Sequence, residues 1–156
     1  MNVLADKLTC SKIFGSKALS EAINVIFVTS KYTKDDLEKT DFTAYYKKLF
    51  TKKPFSSNKE KFNFFLLSSE FDLDEGNDIF SLIENECDIP LDFQNQIITL
   101  IKDNRRSNAG QGNARVYTPN PTDISNVDVF LHEFGHSFGF LGDEYFSTGD
   151  GHFKNF

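Results

Sequence analysis

Ile23-Asn24-Val25-Ile26-Phe27-Val28-Thr29 is a run of β-branched and aromatic residues with a single polar interruption near its start. A strand that carries apolar side chains in succession has both faces covered, as a strand inside a parallel sheet flanked by helices does. Just downstream, Thr33-Lys34-Asp35-Asp36 has the spacing of a capping box. Phe42, Tyr45, Tyr46, Leu49 and Phe50 then recur at helical spacing until Pro54 stops the helix. Residues 62–67 (FNFFLL) read as a second strand. The order strand, helix, strand predicts a right-handed crossover and a parallel pair. The expected class is therefore α/β, with a twisted and mostly parallel sheet.

Outward from this unit, residues 97–101 (IITLI) form a third strand. Residues 107–112 (SNAGQG) form a glycine-bearing loop that leads into Ala114-Arg115-Val116-Tyr117-Thr118. The last run reads as an edge strand, ended by Pro119-Asn120-Pro121. Residues 70–78 (EFDLDEGND) are acidic, but no Asp in them puts Gly76 at the sixth position of a calcium loop, so they read as a solvated loop. Residues 1–22 form a leader, irregular or helical, and residues 23–156 form the domain.

The bulk properties narrow the function classes. A chain of 156 residues fits one domain with a core that needs no metal to hold it. With 23 acidic against 17 basic side chains, a net charge of -6 and a pI near 5.0, it is not built for nucleic acid or an anionic membrane. Eighteen Phe and five Tyr with no Trp predict a core of Phe packed on Ile and Leu. Cys10 and Cys87 belong to no paired metal or redox spacing and read as free, buried thiols. Asp6, Lys7 and Lys12 interrupt the start where a secretory peptide needs an apolar stretch, so no signal peptide is visible. Nor does any apolar run approach the ~20 residues of a membrane-spanning helix.

The chemistry is concentrated in NVDVFLHEFGHSFGFLGDEY, which starts at Asn126. Val127, Phe130, Leu131, Phe134 and Phe138 recur at helical spacing and give the helix one apolar face. Four steps of ~100° return His136 to within ~40° of His132, one turn along, so both imidazoles project to the same side. Two imidazoles plus a carboxylate suit Zn²⁺, which takes three protein ligands in catalytic sites and keeps the fourth position for water. Glu133 stands beside that position as the general base. Gly135 leaves room beside the metal, and Gly139, placed just past the last turn, lets the chain swing back. The third ligand comes from Asp143, Glu144, Asp150 or His152. Asp143 is the choice among them and Glu144 the reserve.

His132-Glu133-Phe134-Gly135-His136-Ser137-Phe138, followed by Leu141, Asp143, Glu144 and Tyr145, resembles the H-E-x-G-H-S-F…L-x-D-E-Y signature of the IgA peptidase family of zinc metallopeptidases. Tyr32-Thr33, Pro54-Phe55, Phe62-Asn63 and the glycine loop before Val116-Tyr117 resemble that family too, and together the likeness spans most of residues 23–146. The resemblance implies a metzincin-like catalytic domain with an edge strand beside the active-site helix, a bound zinc, and peptidase activity outside the cell or at its surface. A third ligand at Asp143, not at position 142 as in the metzincin pattern, agrees with the family's own pattern. Family members are longer, and the only Met here is Met1. The chain therefore reads as a fragment or a minimal form without a methionine turn, incomplete at its C-terminal side.

The expected function is a zinc-dependent endopeptidase acting on protein or peptide substrates, with the substrate extended along residues 115–118 as an added strand. The alternative is a catalytically inactive, metal-stabilised binding module or fragment.

Overall fold

In the computed structural model, residues 8–73, 78–90, 95–110 and 112–139 are described. β2 (Ile23–Ser30) lies in the interior of a six-stranded sheet whose order is β1-β3-β2-β4-β6-β5. β3 (Phe62–Ser68) and β4 (Asn95–Ile101) flank it in parallel, and β6 (Asn113–Tyr117) continues the parallel set beyond β4. The outer strands β1 (Thr9–Phe14) and β5 (Asn108–Gly110) are antiparallel to their neighbours. The mixed α/β class and the mostly parallel sheet are as expected.

Alternation along β2 sends side chains into two separate cores. Val25 and Phe27 face one with Phe62, Phe64, Ile98, Leu100, Ala114 and Val116, while Ile26 and Val28 face the other with Phe65, Leu67 and Ile97. The first core is closed by α2 (Thr43–Leu49) and α4 (Ser125–Gly139), the second by α3 (Ile79–Cys87). The capping box at Thr33 is present. Its hydroxyl accepts from the Asp36 backbone N–H at 3.1 Å and the Asp36 carboxylate accepts from Thr33 N–H at 2.8 Å, starting α1 (Lys34–Lys39). The helix expected from there to Pro54 is split into α1 and α2 at Thr40, whose hydroxyl bonds back to the Asp36 carbonyl at 2.7 Å. At the strands' starts, Asn63, Asn24 and Asn95 stand side by side across β3, β2 and β4 and hydrogen-bond in series at 3.2 Å each. At the far end, burial pushes the Tyr32 hydroxyl up to about 12, so it stays neutral in its 2.7 Å hydrogen bond with Thr118, joining the ends of β2 and β6.

Four expectations are corrected. The leader contains β1, which pairs with β3 from Thr9 to Phe14. A bulge between Lys12 and Phe14 switches its face, with Cys10 on one core and Phe14 on the other, so no alternation is visible in its sequence. Residues 114–118 are an edge only in part, because β6 has β4 along one side while β5 covers Asn113–Arg115 on the other. The glycine-bearing loop contains β5, the outermost strand on that side among the described residues. Finally, Cys10 and Cys87 form a disulfide, with Cα atoms 5.2 Å apart. Cys10 sits on β1 and Cys87 is the last residue of α3, and these elements pack together in the second core. α3 itself begins directly after the acidic stretch, whose last residue, Asp78, caps it by accepting from the Ser81 N–H at 3.1 Å and from its hydroxyl at 2.7 Å.

With its ends 77 positions apart in sequence, the disulfide removes chain entropy from the unfolded state equivalent to about 4.5 kcal/mol. Replacing both cysteines by Ser should lower stability by about 2–4 kcal/mol. Urea unfolding followed by far-UV circular dichroism checks this, and reductant should shift the parent's midpoint and leave that of the double variant in place.

Candidate metal centre

α4 is positioned by its aromatic side. Phe130 and Phe134 are fully buried, Phe130 against Phe27 and Tyr45 at centroid distances of 5.4 Å each. Phe134 stacks on Phe138 at 5.3 Å, and Phe55 closes on both at 5.7 and 5.6 Å. Aromatic pairs of this kind contribute about 0.5–1.5 kcal/mol each beyond the area they bury. They also fix the rotation of the helix about its axis, which leaves no freedom in where the remaining sides point.

The side pointing away from the core carries His132, exposed, and His136, half-buried. Their Nε2 atoms are 3.0 Å apart, and the rings meet edge-on with centroids at 4.6 Å and an interplanar angle of 85°. Two nitrogens each about 2.0–2.1 Å from a tetrahedral zinc stand about 3.3 Å apart. The pair thus converges on one point at nearly the separation a shared ion requires. Glu133, one residue on, lies on the flank between the imidazoles and the core and is 6% exposed, as a carboxylate in a sheltered position beside the ion would be.

The neighbouring hairpin is fastened to the same turn of helix. Gly112, with φ of 74°, accepts from Ile97 N–H at 3.0 Å and donates its own N–H to the Ser137 carbonyl at 3.1 Å. Ala109 of β5 packs on the core that α4 closes. Among the described residues, the outermost strand of the sheet on this side, β5, therefore runs beside the histidine-bearing helix. It could have been found from the sequence: Gly110 and Gly112 bracket a single residue, the mark of a tight hairpin turn, and the polar residues around them suit a short edge strand.

Among the described residues, no third His, Cys, Asp or Glu joins the pair. Asp143, the expected third ligand, and Glu144, Tyr145, Asp150 and His152 all lie outside the described residues. α4 is described as far as Gly139, and the residues that follow it lie outside the described residues. No protein-family model matches the chain, and no match was found among curated proteins. Among the described residues, no helix is long and apolar enough to cross a membrane.

His136→Ala should abolish stoichiometric metal binding, because a single exposed imidazole cannot hold zinc alone. Native mass spectrometry of the two chains after zinc loading and buffer exchange reads this directly. The expected result is one zinc on the parent and none on the variant.

Proposed function

We propose that the chain is a zinc-dependent endopeptidase domain of the metzincin type, related to the IgA peptidase family. The observation that carries this is the pair of imidazole nitrogens 3.0 Å apart on α4 with the sheltered Glu133 between them and the core. His132 and His136 would hold the metal together with Asp143, and Glu144 is the alternative third donor. When bound, zinc would polarise the scissile carbonyl and acidify a water molecule beside it. Glu133 takes the proton of the attacking water and passes it to the nitrogen of the leaving amine, so its low exposure serves to keep bulk water from competing for that proton.

The architecture also supports a place for the substrate. A peptide would add to the sheet at β5, the outermost strand, antiparallel to β6 and beside α4. This moves the pairing edge outward from residues 115–118, since β5 already pairs with Asn113–Arg115 on the side of β6 away from β4. Peptide backbone held there would lie alongside the histidines, which is where a hydrolysing site needs it. The Cys10–Cys87 disulfide supports an extracellular or cell-surface location, because such bonds persist in oxidising compartments. Neither nucleic acid nor membrane insertion enters this reading.

Glu133→Gln should keep its zinc and lose casein hydrolysis by at least about 10²-fold. Hydrolysis by the variant at the parent's rate would reject the role of Glu133. Zinc retained by the parent with no chelator-sensitive hydrolysis would favour the metal-stabilised binding module. Comparison of Asp143→Ala with Glu144→Ala separates the two candidate donors. The first should lose zinc during dialysis against a weak chelator and the second should retain it.

A further inference from the structure

The chain has three arginines, Arg105, Arg106 and Arg115, all within eleven residues that bracket β5, whereas its fourteen lysines are spread from end to end. Arg105 and Arg106 immediately precede the edge strand and Arg115 pairs with Asn108 across the hairpin. All three are exposed. Ala114 and Val116 face the core beneath α4, so alternation sends Arg115 and Tyr117 to the opposite face of the sheet. On that side Arg105 lies over the Tyr117 ring with its guanidinium carbon 4.9 Å from the centroid, and Asp103 accepts from its Nε at 3.1 Å. The guanidinium is thus held in place by two contacts, which reduces the entropy lost when it engages a partner.

We propose that these arginines make the β5 edge selective for acidic peptide segments, reading Asp or Glu side chains at alternate positions of an extended chain. The proposal rests on the peptidase reading for the presence of a peptide at β5, and adds the substrate class. A strand added to β5 would lie ~4.8 Å beyond it and ~10 Å from β6. Its side chains alternate: one set faces α4 and the histidines, the other faces the arginine side. Guanidinium groups recognise carboxylates with two parallel hydrogen bonds where lysine offers only a point charge, which gives their confinement to this edge a chemical meaning. On a chain of net charge -6, acidic peptides would otherwise be repelled, so a local cationic edge has to do the selecting.

The test is fluorescence anisotropy on the Glu133→Gln chain, which spares the probe from turnover. A labelled heptapeptide alternating valine and glutamate is compared with its valine and lysine counterpart. The acidic peptide should bind about tenfold more tightly, and the preference should fall to about twofold or less in the chain that also carries Arg105→Gln and Arg115→Gln. Equal binding of the two peptides, binding of neither, or an undiminished preference in the arginine variant would overturn the proposal. Should that variant melt early, a salt titration with all arginines in place decides the matter: the preference must fade by about 0.5 M salt if charge carries it. Casein hydrolysis by the parent is scored separately. Cleavage without acidic preference rejects the specificity alone, and acidic preference without cleavage rejects the peptidase reading while keeping the surface.

Discussion

The rotation of α4 about its own axis is the constraint on which the candidate site depends. An isolated helix with His at two positions four apart can point them anywhere. Here Phe130, Phe134 and Phe138 are locked among Phe27, Tyr45, Phe55 and Phe62, so the imidazoles have one direction left. The aromatic excess of the composition thus has a positional meaning. Rings fill the space between sheet and helix with few rotatable bonds, and a helix seated on rings neither rolls nor slides easily.

The sheet places what the helix cannot. β6 packs under α4 and carries β5 outward, while the Gly112 amide bonded to the Ser137 carbonyl fastens the hairpin turn one residue beyond His136. Helix and edge strand therefore share a mechanical connection at the point where their chemistry would meet. Glu133 sits on the flank of that joint. A carboxylate held among packed elements keeps its position relative to both histidines better than one on a loop could.

The interior of the fold was legible in the sequence because burial on both faces leaves a nearly continuous apolar run, as at Val25-Ile26-Phe27-Val28. The histidine pair was legible for a similar reason, since a helical repeat converts spacing into direction. The outer strands were not. β1 changes face at its bulge and mixes Ser11 and Lys12 with Ile13 and Phe14, and β5 is only three residues long. α3 was hidden because Asp78, its N-cap, lies in an acidic run that reads as solvated loop. The disulfide followed these misses, since nothing brings Cys10 to Cys87 until both β1 and α3 are in place. A third metal donor at Asp143 is an inference from residue order and resemblance, and lies outside the described residues.

The Cys10–Cys87 bridge has a topological consequence distinct from its effect on stability. It closes a covalent ring through β1, β2, α1, α2, β3 and α3. One backbone cut anywhere inside that ring opens it without producing two separate molecules. The severed N-terminal segment, carrying up to three of the six strands, would remain tethered to the part bearing β4, β6 and α4. In surroundings rich in proteolytic activity, such a chain can be nicked in its exposed turns and still re-form the same sheet from pieces that never diffuse apart.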